Sequence, residues 1–204
     1  MQNKEEKNIF EYPCMEESEI NFIENYLDKE KDMLEFGSGG STFYFSNKVK
    51  NLISIEHDQY WAHQMNQKIK EKDIKNVKIL FAQPNMNYMH GDSPWAFRHQ
   101  EFKNYIQTPE FIRRNIGDFN FDVVLIDGRA RVECAKFIYP YLSDDSIIIL
   151  HDYVGRPRYD AIFQWYEEVE CIRTGRSALA VKRKNSERIM SKYFQGFPDE
   201  FFKN

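Results

Sequence analysis

The sequence lacks the features that mark several large classes of protein. Its three cysteines, Cys14, Cys134 and Cys171, are odd in number and far apart, so they fit neither a disulfide framework nor a zinc site. No apolar run approaches the ~20 residues that cross a bilayer, and the polar residues 1–7 are not followed by the apolar segment of a secretory signal. These absences predict a protein of a reducing compartment, the cytoplasm, with no membrane span.

An excess of basic residues, the usual footprint of a nucleic-acid-binding protein, is also absent. The formal net charge is −4, and the lysines and arginines are scattered among acids, so we expect no nucleic-acid partner. The chain instead has the composition of a globular protein, with 42% hydrophobic and 16% aromatic residues. Its 204 residues suit a single domain.

Predicted strands and helices alternate along the chain. The strands are expected at 32–36, 51–56, 77–82, 121–127 and 145–150, the helices at 16–27, 41–48, 58–72, 130–142 and 158–168, and a closing hairpin at 170–174 and 178–184. This order predicts one α/β domain over residues 1–204, with a doubly wound, mostly parallel sheet and helices on both of its faces.

Three segments fall outside this alternation. Residues 1–14 are predicted to form a loose lead-in. Residues 187–204 form an aromatic segment, expected to cover the sheet, make an oligomer contact or extend an acceptor groove. Residues 83–109 include Trp95 and Pro109 and show no sustained period. A connection of that length is usually a lid, a binding loop or disorder, and we predict an ordered lid that contributes to acceptor binding.

A cluster of small residues follows the first predicted strand, at positions 37–42. Glycines there allow a sharp turn and the close approach of a ligand, and Ser41 or Thr42 can cap the next helix. Glu56 ends the second strand, 19 positions after Gly37. At that spacing a carboxylate can accept hydrogen bonds from the ribose hydroxyls of a bound nucleoside. Together the two features predict a nucleotide-binding site.

Polar residues also end the other predicted strands. Glu35, Asp127 and the pair His151-Asp152 stand at or beside the carboxyl ends of the first, fourth and fifth strands. In open α/β sheets a ligand lies over these ends, where the strand order reverses. The polar tips therefore predict that the site extends from the glycine turn across the middle of the sheet.

These motifs resemble the class I S-adenosylmethionine-dependent methyltransferases. Residues 34–42 are similar to the first motif of that family, Glu56 to its ribose-binding acid and Asp127 to its acidic residue after the fourth strand. The closing hairpin is similar to the family's reversed last strand. The resemblance implies a Rossmann-like fold with an antiparallel last strand and S-adenosyl-L-methionine as the cofactor, with S-adenosyl-L-homocysteine as its product.

Four short phrases resemble a smaller group of sugar O-methyltransferases that occur beside glycosyltransferases in bacteria and large DNA viruses. The phrases are residues 35–42, 55–58, 126–132 and 150–153. This resemblance implies a hydroxyl of a surface or capsid glycan as the acceptor, with a deoxyhexose such as rhamnose preferred. It also implies a glycosyltransferase as a candidate partner and, if the chain is viral, a location in the host cytoplasm.

The resemblance to the class I methyltransferases assigns cofactor binding to one set of residues. They are Glu35, Gly37, Ser38, Gly39, Ser41, Thr42, Glu56, His57 and Gln83.

Activation of the acceptor is assigned to a second set. A sugar hydroxyl is a poor nucleophile that needs a base or a metal ion. Asp127 is one candidate base; His151 is the other, because its ordinary pKa is about 6.5, unless it is a neutral histidine bonded to a backbone carbonyl. Arg129 and Arg131 would hold sugar hydroxyls or pair with Asp127; for Arg131 a surface ion pair with Glu133 is the alternative.

A divalent cation, Mg²⁺ or Mn²⁺, is a further candidate component. Some O-methyltransferases of the class bind one through acids after the fourth and fifth strands, where Asp127 and Asp152 stand, and hard oxygen ligands suit both ions. Tyr153 replaces an amide that is common among those metal ligands, and Ala130 stands where a base often lies. The metal is therefore left open, and Asp152 would otherwise orient His151 or cap the next turn.

Other functions remain open on the sequence. A nicotinamide-dependent oxidoreductase would normally carry an apolar residue at position 35 and a glycine at position 42, where this chain has Glu35 and Thr42. A non-catalytic scaffold that supports a glycosyltransferase would keep the glycine turn and Glu56. A methyltransferase for small phenols or for protein would differ only in its acceptor.

Overall fold

A single sheet of seven strands organises the part of the chain that the structure, a computed structural model, describes: residues 11–84 and 99–184. The strands are β1 (Asp32–Phe36), β2 (Asn51–Glu56), β3 (Val77–Phe81), β4 (Val123–Ile126), β5 (Ile147–His151), β6 (Tyr166–Ile172) and β7 (Ala178–Arg183). Their order across the sheet is β3-β2-β1-β4-β5-β7-β6.

The strand directions confirm the fold predicted from the sequence. Strands β1 to β5 run parallel, and β7 runs antiparallel to both β5 and β6. Strands β1 and β4 lie in the middle and are buried along their whole length, as expected for parallel strands covered on both faces. The order reverses between them, which opens the crevice where ligands of such sheets bind.

Helices cover both faces of the sheet. One face carries α1 (Glu17–Glu24), α2 (Gly40–Ser46) and α3 (Gln59–Glu71); the other carries α4 (Lys103–Asn115), α5 (Arg131–Ile138) and a 3₁₀ segment (Pro157–Gln164). Shorter 3₁₀ turns lie at His99–Phe102 and Tyr139–Tyr141. Among the described residues, no helix is long and apolar enough to cross a bilayer.

Local capping explains where two of the helices begin. The backbone N–H of Glu16 donates to Glu19 Oε2 (2.8 Å) in a capping box that starts α1. The side chain of Asp58 accepts the N–H of Trp61 (2.9 Å) and starts α3 directly after β2. Both caps lie beside strand tips, so they fix chain segments that border the candidate site.

The prediction of a lid over residues 83–109 is wrong from His99 onward, because the chain is helical from His99 to Asn115. Tyr105, Ile106 and Ile112 are buried in the core, at a spacing that puts them on one side of α4. A proline lacks an N–H and normally interrupts a helix, which is why the loop prediction extends to Pro109. Here Pro109 lies inside α4, where burial of the apolar face prevails.

Some predicted segments lie outside the described residues. These are most of the lead-in (residues 1–10), the part of the lid that contains Trp95 (residues 85–98), and the aromatic segment 187–204. The predictions for them therefore stay predictions.

The helix predicted at 158–168 is also wrong in part. The chain forms a 3₁₀ segment only to Gln164, and β6 begins at Tyr166. Glutamate favours helices in isolation, but Glu167 and Glu168 lie exposed on the edge strand of the sheet. Charged side chains at such an edge oppose pairing with other strands. The first strand of the closing hairpin is therefore longer than predicted.

The tips of β1 and β4 meet backbone to backbone. Gly37 has φ of +100°, and a Cβ at this position would lie 2.8 Å from the Cα of Gly128. A Cβ at Gly128 would lie 2.1 Å from the Tyr105 hydroxyl oxygen and 2.9 Å from the Phe36 carbonyl oxygen. Neither position accepts a side chain, so the two glycines allow the two central strands to end side by side.

We expect Gly37→Ala to lower the free energy of unfolding by about 2 kcal/mol or more, because the methyl group would meet backbone atoms and the positive φ would be strained. Urea unfolding followed by circular dichroism measures the change. Gly117→Ala is the control, since a Cβ there would have nothing within 4 Å. Equal stabilities of the two variants would contradict the close approach of the strand tips.

Candidate active site

Ser38 ties the glycine turn after β1 to the neighbouring elements. Its N–H donates to Glu56 Oε2 (3.0 Å), and its hydroxyl forms a hydrogen bond with the hydroxyl of Ser54 (2.8 Å). Its carbonyl oxygen accepts the indole N–H of Trp61 (2.7 Å). These partners come from β2 and α3, so the turn is fixed against the tip of β2.

Glu56 lies at that tip with its carboxylate held by backbone groups. Oε1 accepts the N–H groups of His57 and Asp58 (2.8 Å each), and Oε2 accepts the N–H of Ser38. A carboxylate oxygen has two lone pairs, so Oε2 can also accept a hydrogen bond from a ligand hydroxyl. The structure thus places Glu56 at the tip of β2, as predicted, and its contact with a ribose stays a prediction.

Glu35 is fully buried beneath the turn. Its two carboxylate oxygens accept the hydroxyl hydrogens of Ser41 and Thr42, each at 2.5 Å, and Thr42 Oγ1 accepts the N–H of Gly39 (3.0 Å). Burial raises the pKa of Glu35 to about 7, although the hydroxyls of Ser41, Thr42 and Ser54 partly oppose the rise. These side chains point into the protein. They therefore support the turn from the side of the core and do not face a cofactor.

His57 and Gln83 lie at the tips of β2 and β3. The His57 ring packs edge-on against Phe102 (5.4 Å between ring centroids) and Tyr105 (5.8 Å). The side chain of Gln83 is exposed, and its backbone carbonyl accepts a hydrogen bond from Asn104 Nδ2 (3.0 Å). Both residues connect the sheet to α4 and the turn before it, and their contacts with a cofactor stay predictions.

Asp127 and His151 form a pair at the tips of β4 and β5. Asp127 Oδ1 lies 2.8 Å from His151 Nδ1. The second ring nitrogen, Nε2, lies 3.4 Å from Oε2 of Glu19, a fully buried residue of α1. The side chain of His151 is only 1% exposed, whereas that of Asp127 is 28% exposed. Asp127 can therefore meet a ligand, and the prediction of His151 as a base that touches the acceptor is corrected to a supporting role.

The charges in this cluster shift both pKa values. Burial alone would lower the pKa of His151, but the hydrogen bond and charge of Asp127, together with the charge of Glu19, raise it above its ordinary value. For Asp127, burial alone would raise the pKa. The hydrogen bond and charge of His151, together with the charge of Arg131, outweigh this effect, and the pKa of Asp127 is lowered. The pairing thus favours an ionised Asp127 beside a protonated His151 more than the ordinary pKa values of the two groups would.

Arg131 holds the two strand tips together. Its Nε donates to the Gly128 carbonyl (3.1 Å), Nη2 to the Asp127 carbonyl (3.0 Å), and Nη1 to the His151 carbonyl. Nη2 also lies 3.1 Å from Asp127 Oδ1. The predicted pairing with Asp127 is therefore observed. Because these N–H groups bind the protein itself, Arg131 positions Asp127 and is not a group that holds the acceptor.

The structure does not support one of the predicted alternatives for Asp152, namely that it orients His151. Its carboxylate pairs with Arg156. Asp127, the other predicted metal ligand, is engaged with His151 and Arg131. Within residues 11–84 and 99–184, no group of three His, Cys, Asp or Glu side chains could hold a metal ion. The proposed Mg²⁺ or Mn²⁺ site gains no support from these residues.

A cavity of about 380 Å³, which we call the acceptor pocket, opens at the residues that directly follow Asp127 in the chain, and Arg131, the ion-pair partner of Asp127, is part of its lining. Three parts of the chain line it: residues 128–133 at the tip of β4 and the start of α5, Asp152 after β5, and the residues Arg156, Arg158, Tyr159 and Ala161. Its volume is within the range of small-molecule sites, roughly 300–1,000 Å³. Arg129, predicted at the site, lines this pocket.

Several residues of the site are not found by the sequence reasoning. Glu19 is three and four positions before buried Phe22 and Ile23, so its place on the apolar side of α1 was a signal for a buried acid. Gly128 directly follows Asp127, and a glycine at a strand tip is a known sign of close backbone approach. Tyr159 carried no comparable signal.

The fold is similar to that of solved methyltransferase structures. A methyltransferase-like protein from Silicibacter pomeroyi DSS-3 matches with a TM-score of 0.67 at 22% identity, over 97% of this chain and 100% of that one. A proposed methyltransferase from Streptococcus mutans, solved in complex with SAH, matches with a TM-score of 0.53 at 12% identity, over 82% of this chain and 97% of that one.

A third structure, a proposed caffeoyl-CoA O-methyltransferase from Staphylococcus aureus, matches with a TM-score of 0.54 at 14% identity, over 84% of this chain and 86% of that one. No protein-family model matches the chain, and no curated protein matches it in sequence. At these identities the likeness establishes the Rossmann-like methyltransferase fold.

We expect Glu35→Gln to remove a pH-dependent part of the stability. The folded pKa of Glu35 is raised from 4.5 to about 7, so folding favours the protonated carboxyl. The stability that the protonated carboxyl contributes is fully present below about pH 4.5. It is lost as the pH rises through about 7, and the free energy of unfolding then falls by about 3 kcal/mol in all. The amide cannot titrate, so the difference in unfolding free energy between wild type and variant should change with pH.

Urea unfolding at several pH values between about 5 and 8 measures this difference. Glu168→Gln, at an exposed position on β6, is the control for the substitution itself. A constant difference for Glu35→Gln would show that Glu35 keeps an ordinary pKa.

Proposed function

We propose that the protein is an S-adenosylmethionine-dependent O-methyltransferase whose acceptor is a sugar hydroxyl. One observation carries this proposal: on the methyltransferase fold, a partly exposed carboxylate, Asp127, stands at the β4 tip and is held there by buried His151 and by Arg131. The glycine turn and Glu56 lie across the crevice from it, at the tips of β1 and β2.

The residues of the turn fit an adenosyl cofactor. Gly37 turns the chain through a backbone conformation that side chains avoid, and a Cβ at Gly39 would meet no atom closer than Ser41 Oγ at 3.8 Å. Glu56 Oε2 can accept a hydroxyl hydrogen bond, as a ribose requires. S-adenosylmethionine would supply an electrophilic methyl group at this place.

Asp127 would orient the acceptor oxygen. Methyl transfer is an in-line displacement, so alignment of the reacting atoms matters most. The lowered pKa of Asp127 keeps its carboxylate ionised near neutral pH, ready to accept the hydrogen of a hydroxyl. Arg131 and His151 fix the position of that carboxylate. A scaffold without turnover would have no need for an exposed carboxylate prepared in this way.

The charged lining of the acceptor pocket supports a sugar as the acceptor. It includes four arginines and two carboxylates, and such groups make hydrogen bonds with hydroxyl-rich ligands. A deoxyhexose such as rhamnose, on a surface or capsid glycan, is the first acceptor class to test. A glycosyltransferase is the partner that this function suggests.

We expect Asp127→Asn to reduce turnover about 100-fold or more while S-adenosylhomocysteine binds as in wild type, because the amide keeps the shape of the carboxylate but loses its charge. Methyl transfer from labelled S-adenosylmethionine onto a panel of sugars measures turnover, and calorimetry measures binding. Asp145→Asn, at an exposed position before β5, is the matched control.

Turnover of Asp127→Asn near the wild-type level would remove the proposed role of Asp127. A wild-type protein that binds the cofactor but transfers no methyl group to any acceptor would favour the scaffold.

A further inference from the structure

The acceptor pocket has a charge opposite to that of the chain as a whole. The chain has a formal net charge of −4. The pocket, in contrast, is lined by Arg129, Arg131, Arg156 and Arg158 against only two carboxylates, Glu133 and Asp152. Arg176 adds a further positive charge close enough to lower the pKa of Asp127. Positive charge is therefore concentrated where the acceptor would lie.

Tyr159 gathers three of these arginines around one ring. The guanidinium carbons of Arg131, Arg156 and Arg158 lie 6.0, 5.9 and 5.3 Å from its ring centroid. The ring is nearly buried, and guanidinium groups at such distances are attracted to its face. The ring thus brings three guanidinium groups to the lining of one pocket.

Arg158 differs from the other two arginines in how its positive charge is compensated. Arg131 pairs with Asp127, and Arg156 pairs with Asp152. In the described part of the chain, Arg158 contacts the Tyr159 ring and forms no ion pair. Its side chain is exposed and lines the pocket. A positive charge is thus held at the pocket wall by an aromatic ring rather than neutralised by a carboxylate.

We propose that the acceptor is an anionic sugar: one that places a hydroxyl at Asp127 and a phosphate or carboxylate group at Arg158. Guanidinium groups bind both kinds of anion through paired N–H donors. A neutral sugar would leave the positive charge at Arg158 unused. This proposal rests on the proposed function, the methylation of a sugar hydroxyl, and replaces its neutral deoxyhexose acceptor with a sugar phosphate or a uronic acid.

Binding of small probes tests the proposal with the full chain saturated with S-adenosylhomocysteine. The probes are glucose 1-phosphate, glucuronate and glucose, titrated by calorimetry at low salt. We expect at least one anionic probe to bind about tenfold or more tightly than glucose, and the stronger of the two identifies phosphate or carboxylate as the group recognised. Added salt should weaken that preference.

Arg158→Gln should remove most of the preference for the anionic probe while leaving the affinity for S-adenosylhomocysteine unchanged. Arg114→Gln, on α4 and paired with Glu110, is the matched control and should keep the preference. Equal binding of glucose and both anions, no binding of either anion, or a preference that survives Arg158→Gln would each overturn the proposal.

These outcomes are separate from a failure of the proposed function. That failure would appear as a lack of binding of S-adenosylhomocysteine, or as a lack of methyl transfer to both neutral and anionic sugars. A protein that methylates neutral sugars with no preference for anions would retain the function and lose the anionic acceptor.

Discussion

The contact between Gly37 and Gly128 is the constraint on which the site depends. Because neither residue has a Cβ, the tips of β1 and β4 approach until a methyl group would lie 2.8 Å from the opposite backbone. The glycine turn, Ser38 and Glu56 lie on one side of this contact; Asp127, Arg131 and the acceptor pocket lie on the other. The junction of the two central strands therefore separates the proposed cofactor site from the acceptor pocket.

The pairing of charges fixes the second half of the site, around Asp127 and His151. Buried ionic groups cost much free energy unless each has a partner, and here Glu19 and Asp127 surround His151 while Arg131 pairs with Asp127. Glu19 also forms the capping box at the start of α1. The beginning of the first helix is thus coupled, through a buried imidazole, to the partly exposed carboxylate of Asp127.

Features that depend on spacing along the sequence could be predicted, whereas features that depend on the burial of side chains could not. The positions of Glu56 and Asp127 could be predicted because each stands where a strand ends, and the mostly parallel sheet followed from the alternation of strands and helices. The inward direction of Glu35 and the burial of His151 could not, because periodicity does not say which tip side chains face the core. The arginines around Tyr159 come from two separate segments, so their meeting is a tertiary effect.

Thermal unfolding with S-adenosylhomocysteine and NAD in parallel, on wild type and Glu56→Ala, tests the central claim that the crevice beside Glu56 binds an adenosyl cofactor. A ligand at 100 times its dissociation constant stabilises the native state by about 2.7 kcal/mol, which for a domain of this size raises the midpoint by roughly 5–10 °C. We predict that shift for S-adenosylhomocysteine on wild type, a much smaller one on Glu56→Ala, and none for NAD. A shift with NAD alone, or with neither ligand, would contradict the account.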